Sequence, residues 1–136
     1  ANQRDTQVAF QAAEAALRSG ESALSSASAG PFDNTGGMFD VATNATITDF
    51  VAYATDSSTT WNDSDSVVYA GTLNPAPSTL PRYFIVQTTQ TSQATGSSLA
   101  ADQPLTSVPI YEIFARGVGL SGKSVVVLET TYERSD

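Results

Sequence analysis

The sequence contains neither cysteine nor histidine, and these two absences exclude several kinds of site. Without cysteine, the chain can form no internal disulfide bond and no thiolate zinc site. Without histidine, it lacks the commonest general base and metal ligand of proteins. Nucleophile systems of the Ser-His-Asp and Cys-His types therefore cannot be built from this chain.

Basic residues are also scarce, with six Lys/Arg against fourteen Asp/Glu and a formal net charge of −8. Binding to phosphates needs clustered basic side chains, so we expect no affinity for nucleic acid or for anionic membrane surfaces. The longest apolar stretch is shorter than the roughly 20 residues that span a bilayer. A length of 136 residues with 40% hydrophobic residues fits one domain of ordinary size.

The first 29 residues are predicted to form one long helix. Alanine, the strongest helix former, dominates residues 2–28, which contain no proline and only one glycine. The pair Gly30-Pro31 then provides a helix-terminating signal. Because the helical pattern is already present at Asn2 and no initiator methionine precedes it, we expect the chain to be part of a longer protein.

At 100° per residue this helix has two nonpolar sides in addition to a polar one. The first side carries large residues and is predicted to pack on the rest of the domain through Phe10, Ala13, Leu17 and Leu24. The second side carries small residues, which would let another helix approach closely, and is predicted to be a partner interface formed by Val8, Ala12, Ala15, Ser19 and Ala23. The alternative is that alanine on this side serves only as helix filler.

Residues 30–81, called the middle region below, hold six aspartates and no lysine or arginine. Pro75, Pro77 and Pro81, together with the Gly36-Gly37 pair, predict a long irregular connection that wraps over the domain. Within it, Trp61 and Tyr69 are expected to point inward, and residues 47–54 are compatible with either a short helix or a strand.

The remainder, residues 82–136, is predicted to be a β-meander. Three β-branched and aromatic segments lie at 82–89, 110–116 and 124–132. A polar loop is expected at 90–109, and the glycines between 117 and 122 predict a hairpin turn. The fold class is therefore α+β, with a long N-terminal helix packed on a three- to four-stranded antiparallel sheet.

Segments at both ends of the chain resemble the PilX-type minor pilins of type IV pili. NQRDTQVAFQAAEAALRSGE (2–21) resembles the end of the long pilin helix, and YEIFARGVGLSGKSVVVLETTYER (111–134) resembles the closing hairpin. PRYFIV (81–86) fits the first strand of the same sheet. The resemblance implies a single pilin domain over 1–136, with the C-terminal half of the pilin helix at 1–29 and a variable connection at 30–81. Many pilins carry a C-terminal disulfide, which this chain lacks.

The resemblance also implies a function. It suggests a structural subunit without cofactor or catalytic residues, whose partners are other minor pilins, the major pilin and a tip adhesin. Such a subunit primes pilus assembly and supports twitching motility and adhesion. The complete protein would have a processed, methylated N-terminus and a hydrophobic half-helix, absent here, that inserts in the bacterial inner membrane. After assembly it would lie in the extracellular pilus, at its tip. A minor pseudopilin of a type II secretion system is the alternative within the same architecture.

Two alternatives of another class rest on acidic residues. A carboxylate enzyme such as a glycosidase needs no histidine and would use Asp63 with Asp65, or Glu112 with Glu129 across two strands. A calcium-binding module would use the oxygen ligands of Asp63 and Asp65 with Asp56 nearby. The EF-hand pattern is not met, because its sixth-position glycine and twelfth-position glutamate are missing.

Overall fold

The computed structural model describes residues 2–26, 30–92 and 106–133, which form two helices and five strands. In chain order these are α1 (Asn2–Ser25), β1 (Met38–Asp40), α2 (Phe50–Thr55), β2 (Val67–Val68), β3 (Arg82–Ser92), β4 (Thr106–Val118) and β5 (Val125–Glu133). Helix α1 lies against β3, β4 and β5. The predicted α+β class, with a long N-terminal helix on a sheet, is confirmed.

The sheet is mixed and has five strands, whereas the sequence predicted three or four strands that are all antiparallel. Strands β3, β4 and β5 form the predicted antiparallel meander. The two additional strands, β1 and β2, are short and belong to the middle region. Both pair with β3 on the edge away from β4. Strand β1 runs parallel to β3. With three and two residues, these strands are too short to show the alternation by which strands are predicted.

The bounds predicted for the loop at 90–109 are wrong at both ends, where residues 90–92 and 106–109 belong to strands. Strand β3 continues to Ser92 and β4 begins at Thr106, because the two strands stay paired up to these residues. Residues 93–105 of the predicted loop lie outside the described residues. The predicted hairpin between the last two strands is present, from Val118 to Val125.

Helix α1 comes closest to the sheet where small residues of the two elements meet. Ala13 and Ala16 of α1 are fully buried. A Cβ atom at Gly117 in β4 would overlap the backbone oxygen of Ala9 and the backbone nitrogen of Ala13. A Cβ atom at Gly20 would lie 2.7 Å from Cγ2 of Ile113. Glycine at these two positions therefore allows helix and sheet backbones to come closer than any side chain would permit.

The sheet has a hydrophobic core on each face, because successive residues of β3 and β4 point to opposite sides. The side chains of Tyr83, Ile85 and Ile113 pack with α1. On the other face, Phe84 and Phe114 pack with residues of α2 and the middle region, including Phe39, Phe50, Ala54, Tyr53 and Trp61. The middle region thus forms a layer of its own over the face that α1 leaves uncovered.

The segment at 47–54, for which the sequence allowed a short helix or a strand, contains helix α2. The Asp49 side chain caps it by accepting a hydrogen bond from the backbone N–H of Ala52 at 3.1 Å. Phe50 and Ala54 on its inner side are buried. Trp61 follows it, half-buried, with its ring centroid 5.2 Å from that of Phe84.

Candidate assembly surface and polar groups

Helix α1 is covered on one side and open on the other. Six of its hydrophobic residues have at most 5% of their surface exposed: Val8, Ala9, Ala12, Ala13, Ala16 and Leu24. The opposite side is exposed and carries Gln3, Gln7, Phe10, Gln11 and Arg18, with half-exposed Glu14 among them. We call this set the open helix face. Its one large hydrophobic side chain is Phe10, which is 44% exposed.

The four residues predicted to form the contact between helix and sheet occupy different environments. Ala13 and Leu24 are fully buried, and Leu17 is half-buried against the same core. The prediction for Phe10 is wrong, because this side chain lies on the open helix face. Strand β4 approaches α1 closely at Gly117, and the residues of α1 that it meets there are Ala9 and Ala13. The buried side of α1 is therefore the side that carries the alanines. Phe10 and Leu17 are therefore placed at the margin of the contact, whereas Leu24 is buried in it.

The five residues predicted to face a partner are also divided. Val8 and Ala12 are buried within the chain itself, at 5% and 1% exposure, so the prediction that they form a partner interface is wrong. The segment Leu73–Pro77 of the middle region lies against them across a cavity of about 20 Å³. Ala15, Ser19 and Ala23 are half-buried. The small residues that suit a second helix suit the chain's own sheet and loops equally well.

Asp5 joins the first turns of α1 to the β4–β5 hairpin. Its Oδ1 accepts a hydrogen bond from the backbone N–H of Ser121 at 2.9 Å, and its Oδ2 accepts one from the Ser121 hydroxyl at 2.7 Å. A hydrogen bond with the Ser124 side chain acts together with these two to lower the pKa of Asp5 far below its ordinary value. No local sequence pattern indicates this role of Asp5, because Asp5 and Ser121 lie at opposite ends of the chain.

We expect Asp5→Asn to lower the melting temperature at pH 7 and to have a smaller effect in acid. A carboxylate whose pKa is lowered by folding stabilises the protein above its ordinary pKa of about 4. This contribution is lost as the pH falls from that value through the lowered pKa of the folded state. Thermal unfolding at pH 7 and at pH values below 4 measures the difference. Glu21→Gln on the same helix is the control, and a constant effect of Asp5→Asn at every pH would contradict this role.

The acidic residues considered for calcium binding have other partners. An oxygen of Asp63 lies 3.0 Å from Nη2 of Arg82, and Asp56 Oδ1 accepts hydrogen bonds from the backbone N–H and the hydroxyl of Ser58. Asp65 lies close enough to Tyr53 for its charge, after burial, to raise the pKa of that phenol. Among the described residues, no three acidic side chains converge in a way that could hold a metal ion.

Glu112 of β4 and Glu129 of β5 lie together across the two strands, as predicted, and their side chains share a hydrogen bond. Burial raises the pKa of Glu112, and a hydrogen bond with Glu129 and the charge of Glu129 raise it further. A glycosidase needs its two carboxyl groups about 5 Å apart or more, with the substrate between them. Two carboxyl groups that bind each other leave no room for a substrate, so this geometry does not support glycoside hydrolysis.

We expect Glu112→Gln to stabilise the protein at pH 7. A carboxyl group whose pKa is raised by folding stabilises the protein below its ordinary pKa and loses that contribution as the pH rises through the raised value. At pH 7 the charged group is therefore unfavourable, and the amide removes that cost. The melting temperature should rise at pH 7 and show no gain below about pH 4. Glu133→Gln, at an exposed site of β5, is the control; a destabilising effect of Glu112→Gln at pH 7 would contradict the prediction.

The arrangement of one long helix on a mainly antiparallel sheet is pilin-like. Within the part of the chain that the structure describes, no helix is both long and apolar enough to cross a membrane. The model of the family described as "Type IV pilus assembly protein PilX C-term" matches residues 21–134. The chain therefore belongs to the PilX family of type IV pilus assembly proteins. No curated protein and no solved structure gave a significant match.

Proposed function

We propose that this member of the family is a minor pilin that primes type IV pilus assembly together with other minor pilins and a tip adhesin. The observation that carries the proposal is the family match over residues 21–134, on a fold whose N-terminal helix keeps one face open. In this role the chain contributes to twitching motility and to adhesion. It resides in the inner membrane and periplasm before assembly and at the pilus tip afterwards. The family favours the pilus over a type II secretion system.

The proposed contact with other pilus subunits is the open helix face. Protein interfaces are enriched in aromatic side chains, which act as anchors when polar residues surround them. Phe10 meets this description, with Gln3, Gln7 and Glu14 around it. Glu14 and Arg18 lie one helical turn apart, 3.9 Å from oxygen to nitrogen, and both remain accessible to a partner. Of the residues predicted to face a partner, Ala15 lies on the flank of this face and is kept in the proposed contact. Val8 and Ala12 are buried within the chain and are not part of it.

We expect Phe10→Ala to leave the domain folded and to weaken its binding to other minor pilins. Because the side chain is 44% exposed, its removal should change the free energy of unfolding by less than about 1 kcal/mol. Loss of an aromatic anchor from an interface should weaken binding by about 2 kcal/mol. The measurement is a pull-down of the purified chain with the other minor pilins of the same pilus.

The control for this experiment is Val51→Ala, which removes a side chain of similar exposure from α2. It should leave both stability and binding unchanged. If the unmodified chain captured no minor pilin, the proposed function would be contradicted. If Phe10→Ala and Val51→Ala bound equally well, the function would stand and the open helix face would not be the contact.

A further inference from the structure

A groove of about 450 Å³ lies on the sheet face that the middle region covers, beside the beginning of β5. Its walls come from the end of α2 and the residues after it, from β4 and from β5. The residues used below are Asp56, Trp61, Arg116, Val125 and Val127. The groove is distant in the fold from the open helix face, because α1 packs on the opposite side of the sheet.

Arg116 is the basic residue of this groove, and among the described residues it has no ion-pair partner. It is half-buried, and burial lowers the pKa of its guanidinium. The ion pairs among the described residues are Glu14–Arg18 and Asp63–Arg82, and neither includes Arg116. Asp56, in the groove wall, directs Oδ1 to Ser58 instead. A partly desolvated cation without a carboxylate is unfavourable, so a carboxylate that enters the groove would be strongly favoured.

Strand β5 forms the edge of the sheet next to this groove. In the described part of the chain it pairs only with β4, over Val125–Glu133. The backbone N–H and C=O groups on its outer side can therefore pair with an added strand. Val125, which lines the groove, is 48% exposed.

We propose that β5 accepts an extended segment of another pilus subunit as a further strand, and that an acidic side chain of this segment binds Arg116 in the groove. The inference rests on the proposed function, which supplies the partner. Two independent features meet at one place: an unpaired strand edge, which fits an extended backbone, and a guanidinium without an ion-pair partner among the described residues, which fits a carboxylate.

The strand register predicts the pattern of the added segment. Arg116 lies directly opposite Val127, so a residue of the new strand opposite Val127 would be two strand spacings, about 10 Å, from the Arg116 backbone. The long arginine side chain covers much of this distance, and aspartate or glutamate at that position covers the rest. Glu129 lies two residues after Val127, on the same face of β5. The residue of the added strand opposite Glu129 is therefore expected to be basic or to donate a hydrogen bond. An apolar residue is expected beside Val125 and Trp61.

Site-specific photocross-linking in piliated cells tests the proposal. A photoreactive residue is placed in the full-length protein at Val125 and, as control, at Val41, which is equally exposed (49%) near the opposite edge of the sheet. Mass spectrometry of the cross-linked peptides should identify another pilus subunit joined through Val125, with aspartate or glutamate in the joined segment. In the Val125 background, Arg116→Gln should reduce the yield about tenfold, whereas Arg116→Lys should retain most of it.

The proposal would be overturned by a Val125 yield no higher than that at Val41, by joined segments without an acidic residue, or by an unchanged yield in Arg116→Gln. Thermal unfolding of Arg116→Gln shows whether that variant is folded; if it is not, the sequence of the joined segments decides alone. Absence of the cross-link in a protein that still co-purifies with pilus subunits refutes this inference only. Absence of co-purification refutes the proposed function itself.

Discussion

Gly117→Ala is expected to lower the free energy of unfolding by about 3 kcal/mol. The added Cβ atom would overlap the backbone oxygen of Ala9 and the backbone nitrogen of Ala13. Backbone atoms cannot rotate away as a side chain does, so α1 would have to move off the sheet and lose contacts along the buried alanines. Urea unfolding monitored by circular dichroism measures the change.

Gly71→Ala is the matched control for this prediction. Its added Cβ atom would meet the outer end of the Tyr69 ring, in a loop of the middle region. A side chain can adjust there, so the expected cost is less than about 1 kcal/mol. If Gly117→Ala were as mild as Gly71→Ala, the close contact between α1 and β4 would be contradicted.

Phe84→Ala is expected to destabilise the protein by about 4 kcal/mol, because it empties the centre of the second core. Phe84 is 1% exposed and stacks on Phe114 with ring centroids 4.9 Å apart. The rings of Phe39 and Trp61 lie 5.4 Å and 5.2 Å from it. Loss of this side chain should therefore loosen the contact of the middle region with the sheet as well as lower stability. Urea unfolding followed by Trp61 fluorescence reports both effects.

Phe10→Ala provides the comparison, because it removes the same side chain from the open helix face. It should cost less than about 1 kcal/mol. Equal losses for the two variants would mean that the middle region does not form a second packed layer. They would also contradict the placement of Phe10 on the surface.

The long elements of the fold could be predicted because their patterns extend over many residues. Helix α1 and strands β3, β4 and β5 are each long enough for periodicity and composition to identify them. Strands β1 and β2 could not be found in this way. They form only because β3 offers them an edge, and such a partner is a tertiary feature that a local sequence window does not contain.

The orientation of α1 was the main error at the candidate site, and its cause is physical. Side-chain size on the helical projection predicts that Phe10 contacts the sheet and that Ala12 contacts a partner. The observed orientation depends on Gly117, about a hundred residues further on, whose lack of a side chain selects the alanines for the contact. The pairing of Glu112 with Glu129 could be predicted from the sequence, because alternation along two neighbouring strands places both side chains on one face of the sheet.

The proposed role in pilus assembly is tested most directly by counting surface pili in cells that lack this gene. We expect such cells to carry far fewer pili and to twitch poorly. The unmodified gene should restore both, whereas the Phe10→Ala gene should restore neither, although its product is stable. Wild-type pilus numbers in the deletion strain would contradict the proposed role. Normal pili together with a defect in protein secretion would point to a pseudopilin instead.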